Sequence, residues 1–222
     1  MIATAGINPG FIDYEMLYQV ESRIGFEISW GLGSSSSLIS NIAYWAGVDP
    51  FELHFKVSQG SAYDIACARA EKAILFSVHD QRVDYEEVDF RLPFRDQLFF
   101  AYSGVKKSSS ESVAGFLEKK TDKIGSMVHQ VNSLSRKMLQ ARSLKEFGKL
   151  IGEHEALIAG ISGQKPVKQQ RFPDLEGEVK SLGAWGGDFL MFCFEGSKDD
   201  LKDYLKNKSM NIVFGFDEIL KS

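Results

Sequence analysis

Residues 28–47 read Ile28-Ser29-Trp30-Gly31-Leu32-Gly33-Ser34-Ser35-Ser36-Ser37-Leu38-Ile39-Ser40-Asn41-Ile42-Ala43-Tyr44-Trp45-Ala46-Gly47. Two glycines are followed by a run of hydroxyls, and then by Leu38, Ile39, Ile42, Ala43, Trp45 and Ala46 at helical spacing. Gly47 and the Asp49-Pro50 pair end the helix. The pattern predicts a glycine turn that opens directly into a helix whose first turn is all serine.

Helix N-termini expose backbone N–H groups and carry partial positive charge, so anions settle there. Gly31 and Gly33 would let the backbone approach a polyphosphate closely, and Ser34–Ser37 add hydroxyls that can bond phosphate oxygens or ligate magnesium. A plain helix cap with a tight turn uses the same residue types. No lysine follows the last glycine, so the loop is not of the Walker type.

Upstream, Val20, Ser22, Ile24, Phe26, Ile28 and Trp30 alternate with Glu21, Arg23, Gly25, Glu27 and Ser29, which predicts a half-buried strand. Little precedes it to supply a pairing partner. Either later segments pair with it or a preceding segment is missing; truncation at the N-terminus is the expectation. Downstream, a helix over 50–57 is expected, then strands over 73–78, 82–90 and 97–102. A helical stretch to about Lys119 and helices over 122–141 and 144–161 come next. Strands over 178–182, 189–194 and 212–216, with a helix over 198–207, complete an α+β pattern.

Composition narrows the function. The chain has 222 residues, 44% hydrophobic and 25% charged, with 26 basic and 30 acidic residues for a formal charge of −4. That balance argues against a uniformly basic nucleic-acid surface. Apolar runs are too short for a membrane span, and the N-terminus lacks a secretory signal, so a cytoplasmic protein is expected. Cys67 and Cys193 stand far apart among apolar residues, which predicts buried free thiols.

Three segments carry a family resemblance. Gly31-Leu32-Gly33-Ser34-Ser35-Ser36 resembles the central motif of the GHMP kinases. Gly60-Ser61-Ala62-Tyr63-Asp64-Ile65-Ala66 is similar to the segment bearing that family's catalytic aspartate. Lys180-Ser181-Leu182-Gly183-Ala184-Trp185-Gly186-Gly187 resembles its C-terminal glycine motif. They occur in the family's order. Ser103-Gly104-Val105-Lys106-Lys107-Ser108 is similar to a segment of the mevalonate and phosphomevalonate kinase branch.

The resemblance implies a two-part fold: the remainder of an N-terminal ATP-binding domain over 1–95, with a left-handed crossover, and a ferredoxin-like domain over 96–222. It further implies a kinase that uses ATP and Mg2+ on a small-molecule alcohol, mevalonate first and phosphomevalonate as the alternative. Toward the second leans Gln59-Gly60-Ser61-Ala62-Tyr63-Asp64. The family's first motif has no match in the residues before Gly31, and Trp185 stands where a small residue is usual. A catalytically silent nucleotide-binding or regulatory module is therefore the reading from a different class.

Asp64 is the expected proton acceptor for the attacking hydroxyl, with an N-cap role as its ordinary alternative. Gly31, Leu32, Gly33, Ser34, Ser35, Ser36 and Ser37 would hold the phosphates. Ser35 and Ser36 are the expected magnesium hydroxyls, with Glu52 as a further candidate ligand or else a solvated helix charge. Gly183, Ala184, Gly186 and Gly187 would turn near phosphates or substrate, or merely make a strand-to-strand bend. Lys106 and Lys107 would draw in an anionic acceptor, unless they are simply solvated. His154 is expected to be a packing residue. Oligomeric state is not legible in the sequence.

Overall fold

The computed structural model describes residues 2–104, 124–183 and 187–220. The chain divides into two compact units, 1–90 and 91–222.

The first unit is mostly helical, with α1 (Ile2–Ile7), α2 (Ser34–Ala46), α3 (Pro50–Val57) and α4 (Tyr63–Arg69) followed by a hairpin of β1 (Ala73–His79) and β2 (Arg82–Val88). Each helix boundary has a local cause. Gly47 adopts a left-handed φ of 62°, and its N–H turns back onto the carbonyls of Ala43 and Tyr44, which closes α2. Asp49 then caps α3 by accepting the N–H groups of Phe51 and Glu52 at 2.9 Å each, with Pro50 pre-set for the first turn. The β1–β2 hairpin pairs His79 with Arg82 across Asp80 and Gln81, both at positive φ, the backbone of a tight primed turn. Helix α1 was not anticipated; Asn8, just beyond it, donates from its side chain to the Ala46 carbonyl at 2.8 Å.

The strand expected over residues 20–30 does not form. Residues 20–24 are coil, and the segment ends in a short 3-10 turn over Ile28–Trp30. Val20 and Ile28 remain more than 60% exposed. Alternating side chains define an apolar face, but a strand also needs a neighbour for its N–H and C=O groups. The described strands of this unit, β1 and β2, pair only with each other.

The second unit runs β3 (Leu98–Tyr102), α5 (Ile124–Met138), α6 (Leu144–Ser162), α7 (Val167–Arg171), β4 (Glu178–Ser181), β5 (Phe189–Cys193), α8 (Lys198–Lys206), β6 (Val213–Gly215) and α9 (Phe216–Ile219). Its sheet has the order β4-β5-β3-β6 with every neighbouring pair antiparallel. Two strand–helix–strand halves joined by the β4–β5 hairpin give the ferredoxin-like topology. Strand β5 is buried on both sides, which explains its unbroken apolar run Phe189-Leu190-Met191-Phe192-Cys193. Phe99, Ala101, Val179, Leu190 and Phe192 on one face join Phe172, Leu201, Leu205 and Met210 in the core.

Gly148 and Gly152 on α6 face β4 and β5: a Cβ at Gly148 would lie 3.5 Å from Glu178 Cβ and 3.9 Å from Cys193 Cβ. Ser143 caps α6, and a reciprocal Ser197–Asp200 capping box opens α8. The helical stretch expected before Lys119 lies outside the described residues.

Candidate active site

The glycine–serine segment is built as a bare helix mouth. Gly31 and Gly33 both sit in the left-handed region, at φ 68° and 76°, a conformation that penalises a side chain. Gly33 occupies the cap position of α2, its carbonyl accepting both the N–H (2.9 Å) and the hydroxyl (3.1 Å) of Ser37. No side chain caps the helix. The N–H groups of Ser34, Ser35 and Ser36 therefore open the helix without a capping oxygen, an arrangement suited to an anion. Ser35 is exposed, and Ser34 and Ser36 are half-buried.

Asp64 reaches this mouth. A Cβ built on Gly33 would sit 3.9 Å from both Cβ and Cγ of Asp64. The aspartate lies in the first turn of α4, and the cap position belongs to Ala62, so Asp64 is not the helix cap. Ala62 holds a left-handed φ of 66°, rare for a residue with a side chain, and this turn aims α4. Half-burial raises the Asp64 carboxyl above the usual aspartate range, while a hydrogen bond from Tyr63 and the charge of His54 pull it partly back. Burial, followed by the Asp64 charge, in turn raises the Tyr63 hydroxyl and the Cys67 thiol. A half-buried carboxylate with a raised affinity for protons, next to free N–H groups, can orient a hydroxyl and accept its proton.

The other candidates fall in different places. Glu52 is exposed in the first turn of α3, 3.9 Å from Lys56, and is not among the groups acting on Asp64. Among the described residues, no cluster of His, Cys, Asp and Glu side chains forms a ready metal cage. Cys67 is exposed, which corrects the expectation of a buried thiol; it lies one turn beyond Asp64, on the open side of a short surface helix. Cys193 is buried, with its thiol pushed up to about 12 by burial and by the charge of Glu178.

Within the second unit, Gly183 is left-handed at φ 64° and Gly187 is buried. Ala184, Trp185 and Gly186 lie outside the described residues, as do Lys106 and Lys107. The root of this hairpin is clamped. Buried Glu155 accepts the Ser181 N–H at 3.1 Å and its hydroxyl at 2.8 Å, with Lys180 Nζ 3.6 Å away. Lys180 also donates to His154 Nδ1 at 3.2 Å, so His154 has a polar partner that the sequence did not reveal. Asp188 buries one carboxylate oxygen that has no hydrogen-bond partner among the described residues.

Sequence reading also missed His54. It is 5% exposed near the end of α3, and its Nε2 lies 3.1 Å from the Gly60 carbonyl. A polar ring on the same helix face as Pro50 and Leu53 was the available signal.

No family model matches the chain, and no curated protein does. Solved structures do. A Streptococcus pneumoniae phosphomevalonate kinase in complex with phosphomevalonate and AMPPNP superposes with a TM-score of 0.66 over 87% of this chain and 71% of its own, at 18% identity. L. major mevalonate kinase in complex with R-mevalonate gives a TM-score of 0.61 over 82% of this chain and 64% of its own, at 16% identity. For Methanococcus jannaschii mevalonate kinase the TM-score is 0.62 over 85% and 64%, also at 16% identity. The chain thus spans about two thirds of the length of these mevalonate kinases. It carries the GHMP kinase fold, in the form shared by mevalonate and phosphomevalonate kinases.

Proposed function

We propose that the chain is an ATP-dependent kinase of the GHMP type, moving the γ-phosphate to a small alcohol of the mevalonate class. The observation that carries this reading is the approach of Asp64 to the uncapped start of α2. Phosphoryl transfer asks a protein mainly to position reactants and offset charge. Gly31 and Gly33 give the backbone the open conformation a polyphosphate needs, and the N–H groups of Ser34–Ser36 supply donors. Ser35 and Ser36 offer hydroxyls to Mg2+, which keeps several waters and needs few protein ligands. Bound ATP would supply the transferable phosphoryl group. Asp64 orients the acceptor hydroxyl and takes its proton.

Phosphomevalonate is the second candidate acceptor, toward which the resemblance of Gln59-Gly60-Ser61-Ala62-Tyr63-Asp64 leans. Lys106 and Lys107 would serve such an anionic acceptor.

The test is phosphoryl transfer from ATP to mevalonate, phosphomevalonate and other small alcohols, by the wild type and Asp64→Ala. The substitution should lower kcat about 10²–10⁴-fold while the nucleotide still raises the melting temperature. If the wild type binds ATP and phosphorylates no acceptor, the chain is a nucleotide-binding module instead. An unchanged rate in Asp64→Ala would remove Asp64 from the chemistry.

A further inference from the structure

The connection between α3 and α4 is only five residues, 58–62, yet it must deliver Asp64 to a fixed place against Gly33. It contains a non-glycine residue held at positive φ, Ala62. Such a conformation is disfavoured for a residue with a side chain and persists only where its surroundings impose it.

The imposing contacts converge on Gly60. Its N–H donates to Ser58 Oγ at 3.2 Å, and its carbonyl lies 3.1 Å from His54 Nε2. A carbonyl only accepts, so Nε2 carries the proton and the imidazole is the donor. The ring also packs on the peptide: a Cβ at Gly60 would lie 3.5 Å from Nε2 and 3.6 Å from Cε1. His54 itself is anchored in α3, where its carbonyl accepts the Ser58 N–H at 2.8 Å. Its Nδ1 is buried and has no hydrogen-bond partner among the described residues, so the bond the ring makes there goes to Gly60. The loop then closes onto α4, whose Ile65 and Ala66 N–H groups both bond the Ala62 carbonyl, at 3.1 and 3.2 Å.

We propose that His54 is a positioning residue for Asp64: its Nε2–H···O bond to Gly60 locks the 58–62 connection, which sets the first turn of α4 and holds the Asp64 carboxylate at the mouth of α2. The proposal rests on Asp64 being the group that meets the acceptor, but the geometry it asserts belongs to the protein without ligand. His54 touches neither phosphate nor acceptor in this scheme. It acts on the placement of another side chain, beside its electrostatic pull on the Asp64 carboxyl.

Three measurements test it. On the wild type, imidazole ¹⁵N NMR shifts should show His54 protonated at Nε2; a proton on Nδ1 alone overturns the proposal. Amide hydrogen exchange at Ile65 and Ala66 should accelerate about tenfold in His54→Leu, which fills the volume without a donor. His54→Gln, whose amide can stand near Nε2, should restore protection to within about threefold of wild type. Equal exchange in all three proteins, or equal acceleration in both variants, overturns the assignment. In the transfer assay, His54→Leu should lower kcat by roughly ten- to a hundredfold with the KM for ATP nearly unchanged, and His54→Gln should recover most of it. A uniform loss of melting temperature with no difference between the variants in kcat would mark His54 as a packing residue only. If the exchange results hold and no phosphorylation occurs, the positioning role stands and the kinase reading falls.

Discussion

Replacing His154 by Asn should flatten the acid side of the stability profile by an amount that can be worked out. His154 lies on α6 with Nδ1 3.2 Å from the Lys180 ammonium, and burial followed by the Lys180 charge lowers its pKa from 6.5 to about 4. In the unfolded chain the imidazole takes up a proton as pH falls through about 6.5; in the folded protein it resists until about 4. Between those values the unfolded state binds more protons, so the contribution to stability is complete above pH 6.5 and is lost as pH falls toward 4. From pH 7 to pH 5 the linkage relation gives an upper limit of about 2 kcal/mol, and solvent screening of the half-buried ring brings the loss to about 1 kcal/mol. Asn cannot titrate, and its side-chain oxygen can stand near Nδ1 to accept from Lys180. Glu155 and Lys180 are present in both proteins, so their contributions largely cancel in the comparison. Urea denaturation at pH 7 and pH 5, followed by circular dichroism, measures the difference. The wild type should lose about 1 kcal/mol more than the variant across that interval. Equal losses would refute the idea that His154 is held neutral beside Lys180.

Gly33→Ala should strain the left-handed turn at φ 76° by about 1–2 kcal/mol, and the MgATP-induced rise in melting temperature should shrink. An undiminished rise in thermal-shift assays would count against the α2 mouth as the phosphate site. Gly177→Ala places a Cβ 2.2 Å from the Cys193 carbonyl oxygen at φ 134°, and should cost about 3 kcal/mol or more in urea denaturation. Leu190→Ala removes a fully buried side chain from the centre of the second unit's core and should cost about 2–5 kcal/mol by the same measurement, with m unchanged.

The local elements were largely legible because their causes are local. Asp49-Pro50 announced α3, Gly47 ended α2, and the apolar run of β5 marked a strand buried on both faces. The 20–30 alternation misled because periodicity reports side chains, whereas a strand also depends on a partner's backbone that no periodicity contains. Cys67 misled for a similar reason: apolar neighbours in sequence do not by themselves bury a residue, and Cys67 is exposed on α4. The sheet order was reached through family resemblance, since the pairing of β3 with β6 joins residues that no short window includes together.

At the site, Gly33 and Asp64 stood out by residue type, but the reach of Asp64 to within 3.9 Å of a Cβ built on Gly33 depends on the positive φ of Ala62, which nothing about an alanine advertises. His54 stayed hidden because its role is a bond to a main-chain carbonyl, and every residue has one.

The pairing of Ala101 with Val213 has a consequence for how the chain is made. Strand β3 leaves the ribosome more than a hundred residues ahead of β6, an interval of roughly 6–20 s at ordinary translation speed. Throughout it, the nascent edge bearing Phe99 and Ala101 presents open amide and carbonyl groups beside apolar side chains. Chaperone capture, or premature pairing with another nascent copy, would compete during that window, and a rare-codon pause placed between β5 and β6 would lengthen it.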